Sequence, residues 1–179
     1  MYVLNKTTRL QAGQPWTDKN GTQHPSNWAN WSKDVLEAYG IEEIQEDPRP
    51  DDRFYSVSSM GLDGKWSSVL KNLDDIKDGD EVRSIGVKTE WILKTKQTAN
   101  ALLAPSDWQV IAKAERDRSI DSDIATYRAA VITKCTAIEA AITSCKEMAD
   151  FRKLFDTPVD SDGKATGNPP INDWPEQVS

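Results

Sequence analysis

The sequence predicts an α+β protein. A small antiparallel β front covers residues 1–80. A helical hairpin or bundle with a long amphipathic helix covers 81–155, and an extended tail covers 156–179. Three observations predict it. The turn dipeptides Asn20-Gly21 and Asp63-Gly64 punctuate the front half. From about Arg83 the apolar residues recur at intervals of three and four. The last stretch is rich in Asp, Gly and Pro and has no apolar period.

Residues 1–31 read as extended segments and turns, with Trp16, Trp28 and Trp31 gathered around Gln23-His24-Pro25. Ser32–Tyr39 reads as a short helix that Ser32 caps and Gly40 ends. The acidic run Glu42–Asp52, broken by Pro48 and Pro50, reads as a solvated loop. Arg53–Ser58 and Lys65–Leu70 read as the strands of a hairpin, with Phe54 and Tyr55 on opposite faces.

Trp91, Thr95, Thr98 and Leu102 form a helical stripe that Ile92, Ala99 and Leu103 widen, and Pro105 stops it. Ser106-x-x-Gln109 has the form of a capping box opening a helix to about Arg116. Ile124, Tyr127, Val131, Cys135, Ile138 and Ile142 form a longer stripe. Ser144-x-x-Glu147 repeats the box form, and a last helix carries Met148, Phe151 and Phe155. Unbroken, residues 122–155 would span about 50 Å, whereas a globule of this size is about 40 Å across. The helix must therefore break or project.

Composition narrows the function classes. Net charge is −7, and apolar residues are 37% of the chain. The front 80 residues carry 9 basic and 14 acidic groups, and residues 81–155 carry 12 and 10. Without a basic stripe, nucleic-acid binding is not expected. No stretch has the roughly 20 apolar residues of a membrane span. The first residues, Met1-Tyr2-Val3-Leu4-Asn5, do not read as a signal peptide.

Candidate chemistry is thin. His24 is the only histidine. Cys135 and Cys145 would lie about 15 Å apart along one helix, too far to bridge, and read as small core residues. Neither register of the Asp156–Asn168 stretch fits a calcium loop, so no metal or cofactor is expected. Nucleophile-elbow and phosphate-loop motifs are missing, and the chain reads as non-enzymatic. Trp16, Trp28 and Trp31 suit either a compact aromatic core or a sugar-stacking platform for a glycan. Asp107 and Trp108 suit a helical corner, since an acid in the first turn favours the helix dipole. Arg128 is a candidate ion-pair partner for Asp107.

"ANALLAPSDW" followed some twenty residues later by "YRAAV", and then by a closing Trp-Pro, resembles the phage tail assembly chaperone group. The matching positions are Leu102, Leu103, Asp107, Trp108, Tyr127, Arg128, Trp174 and Pro175. "GQPWTDKNGTQHPSNW" and "DDRFYSV" are similar to proteins from tailed phages of marine bacteria. The polar stretch "SDGKATGNPPINDWPE" departs from the group's usual Ile-x-Trp-Pro ending. The resemblance implies a non-enzymatic tail protein whose partner is a tail-fibre or other tail subunit, with a homo-oligomer as an option. It also implies a place in the host cytoplasm during assembly or in the virion tail. It leaves open an assembly chaperone, a retained virion component and a structural adaptor for fibre attachment. Candidate partner-binding residues are Trp16, Trp28, Trp31, Asp107, Trp108, Tyr127, Arg128, Trp174 and Pro175. The expected docking surfaces are the apolar face from Ile124 to Ile142, which would shield a β-rich fibre, and Ile171–Pro175, which would add a strand to a partner's sheet edge.

Overall fold

The computed structural model describes residues 1–177, which form small antiparallel sheets and helices in an α+β architecture. Two compact units divide at Leu70/Lys71, ahead of the boundary read at 80–81.

The first unit contains β1 (Tyr2–Leu4), β2 (Thr8–Leu10), β3 (Trp16–Thr17), β4 (Gln23–His24), α1 (Lys33–Ala38), β5 (Ile41–Glu43), β6 (Tyr55–Met60) and β7 (Trp66–Leu70). β1 is the middle strand of a sheet ordered β2-β1-β5, with Val3 opposite Arg9 on one side and Glu42 on the other. Asn5 and Lys6, both at positive φ, turn the chain from β1 to β2. The core is aromatic: Trp16, Trp28, Leu36 and Ile41 are buried, and Tyr2, Leu10 and Trp31 pack against them. Trp28 is 0% exposed, and its indole N–H donates to the Gln14 carbonyl at 2.7 Å. That bond lets a large polar-tipped ring sit fully inside.

Asn20-Gly21 does turn β3 into β4, with Gly21 at φ 85. α1 ends at Gly40, whose φ of 75 suits a residue without Cβ. Ser32 stands at its start, but its hydroxyl makes no capping bond. The acidic run is only partly a loop, contrary to expectation: Glu42 and Glu43 belong to β5. Buried Ile41 anchors that strand, and Lys6 lies 3.8 Å from Glu42. The second hairpin forms around Gly64, with a bulge between Val57 and Met60. Its first strand starts at Tyr55, so Phe54 is buried in the preceding turn and does not alternate with Tyr55.

The second unit contains β8 (Ile76–Asp78), β9 (Glu81–Ser84), α2 (Val87–Leu103), α3 (Asp107–Arg116), α4 (Ser122–Ser144) and α5 (Met148–Lys153). The β8–β9 hairpin turns at Gly79 and was not foreseen. Residues 72–75 then cap α2. The Asn72 and Leu73 carbonyls accept from the Val87 and Lys88 amides, and Asp75 Oδ1 accepts from the Gly86 amide at 2.7 Å. This last bond holds the Asp75 carboxyl below the usual carboxylate range, with help from Thr89. A Cβ at Gly86 would lie 2.4 Å from the Asp74 carbonyl carbon, so only glycine fits. These bonds explain why residues 71–80 belong with the helices.

α2 packs on α4 around Ala99, Tyr127 and Val131, with Leu102, Leu103, Cys135 and Trp174 closing the cluster. α4 breaks at Ser144, where a break was expected, but the predicted box does not form. The Ser144 hydroxyl donates to the Ala141 carbonyl, and Glu147 stands at the start of α5. The long stripe is core: Tyr127, Val131, Ile138 and Ile142 are all buried, so this face is not a docking surface.

The tail is also tied back to its own unit. The Ile171 amide donates to the Leu154 carbonyl at 3.0 Å, Lys134 pairs with Asp173, and Trp174 joins the helical cluster. A segment held this way is not a free strand for a partner's sheet, which corrects the strand-addition expectation for Ile171–Pro175.

Candidate functional site

The α2–α3 corner is built around Arg128. α2 ends at Leu103, and Ala104–Ser106 forms a 3-10 turn containing Pro105. Arg128, on α4, points one nitrogen at three oxygens: Leu103 O at 2.8 Å, Ser106 Oγ at 2.7 Å and Asp107 Oδ1 at 2.9 Å. Two N–H bonds are shared among three acceptors. The expected Asp107–Arg128 pair is present. Asp107 is half-exposed, which limits what the charge pair alone contributes. The bonds to the Leu103 carbonyl and the Ser106 hydroxyl fix the corner.

The capping box at Ser106-x-x-Gln109 does not form. Its members are committed elsewhere. The Ser106 hydroxyl donates to Leu103 O at 2.9 Å and accepts from Arg128. The Gln109 amide donates to Asp121 Oδ2 at 2.8 Å, and its oxygen accepts from the Asp121 backbone N–H at 2.9 Å. This paired contact ties α3 to the start of α4.

Gln109 also sets which way α3 faces. It is the one buried residue of the helix, and Ala112 beside it is half-buried. Trp108 (51% exposed), Val110 and Ile111 (55%) therefore face solvent. Trp108 and Ile111 stand three apart and share a helix side, and Ala114 continues from Val110 at four. Arg118 lies over the Trp108 ring at 5.4 Å, a cation–π contact. The helix thus buries Gln109 and leaves Trp108, Val110 and Ile111 in solvent beside its charged residues.

Trp108 is also one wall of a cavity of about 100 Å³, together with Leu102, Pro105, Ile124 and Tyr127. The Tyr127 hydroxyl is buried without a hydrogen-bond partner among the described residues. Of the positions that carry the resemblance, Leu102, Leu103, Tyr127 and Trp174 share one internal cluster, and Asp107 and Arg128 hold the corner. Pro175 is half-buried. Trp108 is the large apolar group among them that faces out.

The three front tryptophans do not form an exposed platform. Trp28 is wholly buried and Trp16 is 7% exposed, which leaves Trp31 half-buried. Trp16 stacks on His24 at 4.3 Å and 22°, and Trp31 lies 5.4 Å from Tyr39 at 37°. His24 Nε2 and Asp18 Oδ2 are 3.3 Å apart. The Thr22 backbone N–H pulls the Asp18 carboxyl below its usual range. Burial opposes that shift, and His24 and Asn20 reinforce it.

Other chemistry finds little footing. No group of three His, Cys, Asp or Glu among the described residues is placed to hold a metal. In the tail, Asp160 Oδ1 accepts from its own loop, from the Asp162 and Lys164 amides. Both cysteines are free. Burial pushes both thiols up; Glu139 adds to this for Cys135 and Asp150 for Cys145. Such thiols are poor nucleophiles. Among the described residues, no helix is long and apolar enough to cross a membrane.

Comparison of the chain with protein-family models, with curated proteins and with solved structures finds no match. Ser106 and Gln109 have the spacing of a cap, and that spacing hides the outward α3 residues in the sequence. Val110-Ile111 directly after Gln109 was the pattern that could have revealed them.

Proposed function

We propose that the chain is a non-enzymatic bacteriophage tail protein that binds a tail-fibre or other tail subunit, as an assembly chaperone or as a component retained in the virion. The observation that carries the binding reading is the outward apolar side of α3. Trp108 and Ile111, three apart, are exposed on one side of a short helix, and Val110 is exposed on a neighbouring side of it. Adjacent exposed apolar groups on a rigid element, with an aromatic among them, suit a protein interface. The phage context rests on the ordered motifs around Leu102, Trp108, Tyr127 and Trp174.

Shielding is the mechanism: α3 covers an apolar patch that would otherwise drive fibre subunits to aggregate. The covering surface is α3, in place of the buried α4 stripe. A structural adaptor would use the same surface permanently. Quantitative mass spectrometry of purified particles of the source phage tests this, counting the chain against the major capsid protein. A symmetric copy number marks a built-in component. Absence from particles, with co-purification of a fibre subunit that Trp108→Asp abolishes, marks a chaperone. Absence from both particle and fibre complexes overturns the reading.

A further inference from the structure

The first unit holds a half-open cleft of about 430 Å³ between the β1–β2 turn, the β3–β4 turn and the end of α1. We propose that this cleft binds a neutral saccharide ring. The proposal stands on this unit alone and does not depend on the tail reading.

The walls suit that ligand. Tyr39 is 41% exposed and forms one side, and Trp16 meets it edge-on at 6.1 Å. The Tyr39 ring packs on Trp16, His24 and Trp31, and its exposed remainder is the apolar surface that the C–H face of a sugar would meet. Around it stand Asn5, Lys19 and Asn20, whose side chains make no hydrogen bond within the described residues. A carboxamide offers both a donor and an acceptor, which matches hydroxyl groups that do the same. The volume falls in the usual range for small-molecule sites.

The charges around the cleft nearly balance. Both Asp18 oxygens are committed, one to the Asn20 and Thr22 amides and the other to His24. Glu37 lies 3.6 Å from Lys33, and Lys19 brings a positive charge to the same cleft. No strong net charge is left in the lining, which suits a neutral ligand better than an ion.

The seating of Asn5 points to a prepared site. The Asn5 backbone N–H donates to the Gly40 carbonyl at 2.7 Å, and its side-chain oxygen lies 2.2 Å from where a Gly40 Cβ would stand. Glycine at position 40 thus lets the amide lie flat against the cleft wall. Trp16 also lines the cleft and closes its floor beneath Tyr39.

The test is an NMR titration of the full ¹⁵N-labelled chain with methyl glucoside, methyl galactoside, N-acetylglucosamine, cellotriose and chitotriose at millimolar concentration. At least one saccharide is expected to shift the Trp16 indole N–H and the Asn5, Asn20 and Tyr39 signals together. Tyr39→Ala should weaken that response by about tenfold, through loss of the stacking face. Asn20→Ala, an exposed turn position, should weaken it about fivefold, through loss of one hydrogen bond. The spectra of both variants report directly that the fold persists. Absence of any shift with all five saccharides overturns the proposal, as do shifts confined to other residues. An undiminished response in both folded variants overturns it too. Matching shifts with choline chloride overturn the neutral-ligand class.

Discussion

α3 and α4 are neighbours with opposite habits. α4 turns Tyr127, Val131, Ile138 and Ile142 inward and leaves mainly alanines and threonines, with Ile132, in solvent. α3 turns Gln109 inward and leaves Trp108, Val110 and Ile111 outside. Both have the apolar spacing of a surface helix, so amphipathicity alone does not say which side is buried. On α3 the direction is set by polar bonds: Gln109 to Asp121 on one flank, and Arg128 at the corner. Burying α3's apolar side within its own chain would have been favourable by the usual apolar-area rule. Its outward position leaves that contribution for another molecule.

The comparison can be broken from the α4 side first. Ile142 is wholly buried, and Ile142→Ala should destabilise the second unit by about 2–5 kcal/mol, the range for deleting a large core side chain. Denaturant melts followed by circular dichroism would measure it. A loss well below that range would mean that α4 is not the core helix described. Next comes the corner. Arg128→Met keeps most of the volume and removes the bonds to Leu103 O and Ser106 Oγ. It should destabilise by about 1.5–3 kcal/mol, as charge-assisted bonds do. Lysine at 128 should restore only part of this, because it lacks the planar fork. The smallest effect is expected on α3 itself. Ile111→Ala should change stability by no more than about 0.5 kcal/mol, as exposed positions do. The same substitution should weaken any complex that α3 makes. A large stability loss at Ile111 would erase the contrast between the two helices.

Much of this fold can be read from the residues. Gly40 and Pro105 end α1 and α2 by local chemistry, and the Ser32 start and the break after Ser144 fall where read, although neither serine makes its expected capping bond. Where reading failed, a distant partner had intervened. Ser106 and Gln109 fit a capping box by spacing, yet Arg128 and Asp121 claim them. Glu42 and Glu43 look like loop residues, but buried Ile41 draws them into β5. The β8–β9 hairpin escaped notice because its strands are short and exposed, and only Asp78-Gly79 hints at a turn. For the site, Asp107–Arg128 was legible as a pair of opposite charges in one stretch. The outward side of α3 was not, because facing is decided by tertiary bonds. The cleft beside Tyr39 was equally hidden, since it joins three segments far apart in sequence.

The Gln109 contact also bears on how the second unit fluctuates. A helix held by the Gln109 amide pair, the half-exposed Asp107–Arg128 pair and one face of Trp108 has less to lose on detaching than α4, which can open only by exposing the core. Amide hydrogen exchange should therefore run through α3 long before it reaches the middle of α4. The surface that faces outward is thus also the part of this unit that can be re-aimed most cheaply, and a partner meeting it would find a helix whose orientation is adjustable.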